Sequence, residues 1–138
     1  MSSRTNLRPQ IVIPAALATP ANTGSMAANI ASQPTIMQSL SMVSYGLSWT
    51  GTSPVGTASI QFSNDYSLNP NGTVNNAGTW NTVTIGLNGS PVSSIPITGN
   101  TGSAFIDIES TGAYACRLLY TYSSGTGTLT VTANGKVQ

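Results

Sequence analysis

Chemistry needs groups that ionise, attack or ligate, and this chain carries few of them. Its acids are Asp65, Asp107 and Glu109, its bases Arg4, Arg8, Arg117 and Lys136, and its one thiol Cys116; histidine is absent. Asp107 and Glu109 alternate on one side of a strand-like run, the spacing a carboxylate pair for general acid–base work would use. A structural account fits better. If residues 105–107 pair with 115–117 across a turn at 110–112, Asp107 faces Arg117. That cross-strand ion pair is worth about 0.2–1 kcal/mol, and Glu109 then opens the turn. Cys116 has no histidine to activate it, and a lone thiol inside a strand is expected to be a small buried hydrophobe. Being single, it forms no intrachain disulfide. Asp65, in Ser63-Asn64-Asp65, could lend one oxygen to a calcium ion, but an Asx-type turn at a strand end is favoured. No catalytic residue, metal ligand or cofactor is expected, and the chain does not read as an enzyme.

The elements that would hold these groups are strands. Charged residues make up 5% of the 138 residues and hydrophobic ones 39%, which is too apolar and too weakly charged for a disordered chain. Ser, Thr, Asn and Gly together make up nearly half the chain, and with many Val, Ile and Tyr they form a mixture that suits a pleated, half-buried surface. Val43, Tyr45, Leu47 and Trp49 alternate with Ser44, Gly46 and Ser48, and Ala58, Ile60 and Phe62 continue the period of two after a turn cluster at 50–56. Further runs follow at 80–85, 92–97 (broken by Pro96), 104–108, 113–122 and 128–133, the last two separated by a Gly-marked turn cluster at 123–127. Asn71-Gly72-Thr73 and Asn88-Gly89-Ser90 match the glycosylation pattern, but Asn-Gly is independently a hairpin signal. In the assumed hairpin, Ile106 and Ile108 share a face with Cys116, Leu118 and Tyr120. Phe105, Asp107, Ala115, Arg117 and Leu119 take the other, and both faces are expected to be at least partly covered. The expected fold is all-β: a single antiparallel β-sandwich, jelly-roll-like, of about seven or eight strands.

Residues 1–35 differ from the rest. Pro9, Pro14, Pro20 and Pro34 interrupt regular pairing there, so an extended N-terminal arm is expected over 1–35 and the sandwich domain over 36–138. Ile11, Val12, Ile13 and Leu17 give the arm apolar surface to dock on a neighbour. Arg4 and Arg8 ahead of the apolar run 11–18 loosely imitate a secretory signal, but Pro14 breaks the run, and it reads as an arm. No stretch reaches the roughly 20 apolar residues of a membrane-spanning helix. Four scattered basic residues do not form the stripe that nucleic acid requires. So little charge leaves scant electrostatic protection against association, which suits a surface covered by neighbours.

The run Ser59-Ile60-Gln61-Phe62-Ser63-Asn64-Asp65, followed by Gly78-Thr79-Trp80-Asn81-Thr82-Val83, resembles the V-x-x-S-x-D-G…W-x-x-V stretch of discoidin-like, galactose-binding-like β-sandwiches. The segments 50–56, 63–66, 78–83 and 114–136 together resemble small virion proteins of bacteriophages, over roughly residues 40–137. That resemblance implies a β-sandwich acting as a non-enzymatic structural component of a phage particle, of the capsid auxiliary or decoration type. Its localisation would be the virion, and its partners other copies of itself and other virion proteins such as the major capsid protein. The usual Gly after Asp65 is Tyr66 here, so no ligand site carries over. The alternative is a carbohydrate-binding module of a phage fibre or tail, with Tyr66 and Trp80 as the stacking platform for a glycan.

Overall fold

The computed structural model describes residues 6–15, 22–38, 40–87, 89–109 and 112–136. The alternating runs form strands, here numbered β1 (Asn6–Ile13), β2 (Ile30–Ala31), β3 (Thr35–Ile36), β4 (Met42–Ser63), β5 (Ser67–Leu68) and β6 (Val74–Asn76). They continue as β7 (Asn81–Thr82), β8 (Ile85–Leu87), β9 (Ser90–Val92), β10 (Ile95–Thr98), β11 (Thr101–Glu109) and β12 (Ala115–Lys136). No helix occurs among the described residues. Eight strands join one antiparallel sheet, while β5–β6 and β8–β9 are separate small hairpins. The β5–β6 hairpin closes around Asn71-Gly72, one of the two Asn-Gly signals, and Asn88 of the other lies outside the described residues.

The frame is the pair β4 and β12, each 22 residues long, antiparallel from Met42↔Lys136 to Ser63↔Ala115. One half of this ribbon, β4 42–50 with β12 128–136, is flanked by β11 and β1. The other half is flanked by β10 and β7 along β4, and by β2 and β3 along β12. Tyr45 lies in the first half, opposite Ala133, and Cys116 in the second, opposite Phe62. Straightened out, the ribbon would hold them roughly 56 Å apart, about 17 residues at about 3.3 Å each. Yet the Tyr45 hydroxyl donates to Cys116 Sγ at 3.2 Å. The ribbon is therefore folded back on itself, and its two halves are the two layers of a sandwich.

The fold-back occurs where turn clusters are expected, at 50–56 and 123–127, but neither is a turn. Both strands run through, and the ladder stays paired. Ser53 and Pro54 sit opposite the single Gly125, with a compensating shift at Ser123, so the bend is made by bulges. Proline is tolerated in a strand at such a site. Gly125 has φ +82°, and Ser53 has φ 48°, a left-handed conformation that is uncommon for a residue with a side chain. A Cβ on Gly125 would strike the Ser53 carbonyl and Pro54 Cα. At Gly102 the constraint is packing: the indole of Trp49, its cross-strand partner, covers the glycine where a Cβ would stand.

Two further expectations are corrected. The described strands of the 1–35 segment belong to the sheet: β1 pairs with β12, β2 and the start of β3 do likewise, and Val12, Ile13, Met26 and Ile30 are buried in the common core. Apolar residues between prolines found their partners within the chain. The expected hairpin of 104–108 with 113–122 does not form either. β4 lies between them, pairing β11 along one edge and β12 along the other. The face assignment nonetheless holds for the core: Ile106, Cys116, Leu118 and Tyr120 are buried, while Phe105 is 70% exposed.

Two tyrosines inside this core differ in one respect. Tyr45 and Tyr120 are both fully buried, but the Tyr45 hydroxyl has a partner, whereas the Tyr120 hydroxyl has none among the described residues. An unsatisfied buried hydroxyl costs about 1–3 kcal/mol and a satisfied one contributes about 0.5–1.5 kcal/mol. Urea unfolding of Tyr120→Phe is expected to show unchanged or raised stability. Tyr45→Phe is expected to lose about 0.5–1.5 kcal/mol; a loss for Tyr120→Phe as large as that for Tyr45→Phe would contradict this account.

Candidate functional site

The two layers are finished differently on their outer faces. Over the second half of the ribbon, residues 64–94 fold back across the sheet: β7 pairs with Gln61 and Phe62, and the Val83 amide donates to the Ile60 carbonyl at 2.9 Å. As a result Ser59, Gln61 and Ser63 are buried although they point away from the core. Two clusters hold this covering loop. Asp65 receives the Thr79 amide, the Thr79 hydroxyl at 3.0 Å and the Ser63 hydroxyl at 2.8 Å. These donors hold its carboxyl below the usual range, the Thr79 amide contributing most. Its oxygens are engaged in closing the loop across to Thr79, a longer-range clamp than the Asx-type turn expected of it.

The second cluster is aromatic. Trp80 is half-buried, its indole N–H donating to the Ala77 carbonyl at 2.8 Å, with the Tyr66 ring tilted against it at 5.7 Å between centroids. The Arg117 guanidinium lies 4.4 Å from the Trp80 ring centroid, and its Nε donates to Gln61 Oε1 at 2.8 Å. A cation over an indole is favourable by about 0.5–1 kcal/mol, and more when water is excluded. Tyr66 is 7% exposed. The two aromatics expected to form a stacking platform do lie together, with Arg117 packed against Trp80. A cleft of about 560 Å³ opens beside Ser63, Asp65, Thr79 and Asn81, and neither ring lines it.

Arg117 is thus not the partner of Asp107. The register places Asp107 opposite Ser44 and Arg117 opposite Gln61, with β4 between the two strands. The expected ion pair is replaced by the Gln61 and Trp80 contacts. Of the residues expected to dock on neighbours, Val12 and Ile13 are buried in the core, Ile11 is 59% exposed, and Leu17 lies outside the described residues. Cys116 is buried, and burial pushes its thiol up to about 12.

Over the first half of the ribbon, no described segment covers the outer face. Phe105, Gly46, Thr132 and Ile11 make one cross-strand row through β11, β4, β12 and β1. The rows beside it are Ser103–Ser48–Thr130 and Asp107–Ser44–Asn134. By register Asp107, Glu109 and Lys136 fall on this face, and the other side chains of these rows are hydroxyls, amides and two exposed hydrophobes. The ring of Phe105 lies alongside Gly46, 3.9 Å from where a Cβ would be. Sequence reasoning placed Phe105 on the face opposite the core but treated that face as covered. The outward residues Ser44, Gly46 and Ser48, matched by Thr128, Thr130 and Thr132, carry the signal of a smooth, unfilled face.

Among the described residues, no three His, Cys, Asp or Glu side chains gather closely enough to hold a metal ion. What the geometry defines is an antiparallel β-sandwich with one face clasped by its own loop and the other face bare. No protein-family model matches the chain, and no curated protein matches its sequence. Among solved structures, the crystal structure of the SPBc2 prophage-derived protein YomS is similar, with a TM-score of 0.54 over 99% of this chain and 96% of that one, at 12% identity. At that identity the likeness is one of fold.

Two outcomes follow from the site. Ellman's reagent at pH 8 should leave Cys116 of the native protein unmodified and label it once the protein is unfolded in denaturant; fast native labelling would place the thiol at the surface. Because the Asp65 carboxyl is held below its ordinary value of 3.8, its clamp stabilises the loop above that value and weakens as pH falls through the lower folded one. Trp80 fluorescence should change in that acid range, and Asp65→Asn should remove the transition.

Proposed function

We propose that this chain is a non-enzymatic structural component of a phage particle, of the capsid auxiliary or decoration type. It would reside in the virion and associate with other copies of itself and with other virion proteins, the major capsid protein among them. The observation that carries the reading is the bare outer face of the first half-ribbon. It is broad, carries few charges, and bears the two most exposed large hydrophobes among the described residues, Phe105 at 70% and Ile11 at 59%. A polar face with few charges and isolated apolar knobs can be covered at little of the desolvation cost of burying unpaired ions. The fold it shares with a prophage-derived protein supports the same setting.

The absence of histidine from the sequence, the buried thiol with its raised pKa and the engaged Asp65 carboxylate support a role without catalysis. The enclosure of Tyr66 and the Arg117 cover on Trp80 take away the aromatic platform on which a glycan-binding role would rest. The arm plays no separate part in this account, since β1 belongs to the sheet.

The test is location. Gold-labelled antibody against the chain is expected to decorate purified particles of the phage that encodes it, at a regular number of positions per particle. Particles that carry none of the chain would overturn the proposal.

A further inference from the structure

We propose that two copies of this chain join edge to edge through β11, antiparallel and centred on Phe105, so that their large sheets become one. This deepens the particle reading by naming the first neighbour as a second copy.

The argument starts from the sheet's edges. An edge strand exposes unpaired N–H and C=O groups, and proteins blunt such edges with prolines, bulges or very short strands. Here β1 carries Pro9 and two register shifts, β10 is four residues with Pro96, and β2, β3 and β7 are two residues each. β11 has none of these three devices, and its charged side chains, a further way of blunting an edge, are confined to Asp107 and Glu109 in its last three residues. It is nine residues long, free of proline, and in unbroken register with β4 from Thr101↔Thr50 to Glu109↔Met42. Among the described residues, β4 is its only strand partner.

The occupant follows from the residues along that edge. A strand added to a continuous antiparallel sheet must keep its side chains in phase with the existing faces. When β11 meets its own copy, each residue therefore faces one of the same parity, and a two-fold axis at Phe105 pairs all nine positions. Phe105 then meets Phe105 of the partner subunit on the outer face. In the same register Asp107 falls opposite Ser103, and Glu109 opposite Thr101, so no carboxylate faces another. On the core side, Ala104 falls opposite Ile106 and Gly102 opposite Ile108, small against large. The interface is isologous and closes on itself. The exposed phenyl ring, otherwise the largest apolar cost on the surface, becomes its centre.

Sedimentation of the purified full chain at concentrations up to about 100 µM tests this, a range in which a complex with Kd near ~10 µM is mostly assembled. A species of twice the 14.1 kDa chain mass is expected. Phe105→Asp, at an exposed position, should keep the unfolding temperature and raise Kd at least ~10-fold, about 1.4 kcal/mol. Phe105→Cys under copper–phenanthroline should cross-link into a covalent dimer far faster than Asn75→Cys, which sits on β6. A monomer at every concentration, a dimer indifferent to Phe105→Asp, or equal cross-linking of the two cysteine variants would each overturn the proposal. These measurements need no particle: a β11 dimer absent from virions would refute the particle role alone, and a monomer found on virions would refute the pairing alone.

Discussion

The structure depends on keeping one ladder of backbone hydrogen bonds intact while bending it back on itself. β4 and β12 are too long for a domain of this size to hold straight, and breaking them into separate strands would strand amides and carbonyls at the break. Offsetting bulges at Ser53, Pro54, Ser123 and Gly125 solve this, since the ladder changes direction without being abandoned. Every layer contact then follows. Tyr45 reaches Cys116, and the inward residues of both halves meet in one core that also takes in Val12, Ile13 and Ile30 from the early strands.

Once the ribbon is folded, its two outer faces pose different problems. The second half carries Gln61 and Arg117 outward, and the loop beyond β4 returns to satisfy them through Thr82, Trp80 and the Asp65–Thr79 clamp. The first half carries small hydroxyl side chains that water satisfies equally well, so nothing in the chain is required to cover them. The difference between a clasped face and a bare one is therefore written in residue size and charge along the two halves of the same two strands.

The buried faces were legible because a half-buried strand obeys a period of two: Val43, Tyr45, Leu47 and Trp49 are all buried, as are Ala58 and Ile60. The Asn71-Gly72 turn was legible because few other dipeptides suit it. The pairing was not. Gly, Ser, Thr and Pro at 50–56 and 123–127 satisfy a turn and a bulge equally, and only the partner strand decides between them. Likewise, sequence neighbours usually pair, yet β11 lies beside β4 rather than β12, so the partner of Arg117 became Gln61 instead of Asp107. The prolines of the first 35 residues correctly signalled interruption, but β1, β2 and β3 accommodate it by being short or bulged edge strands. The Trp80 clasp was half visible: its aromatic partner lies in the same loop, its cation some 37 residues away on β12.

The position of β12 has a consequence for how the chain acquires its form during synthesis. This strand is the last of the described ones, and it pairs with β1, β2, β3 and β4. Until it leaves the ribosome, β1, β2 and β3 have no mate in the main sheet, and β4 lacks one of its two neighbours. The nascent chain must keep its earlier apolar residues from foreign partners until then, since non-local pairing is slow and exposed to aggregation. Scarce charge offers little help in that interval. The prolines, alanines and asparagines of the early segments, weak strand formers, are well suited to waiting.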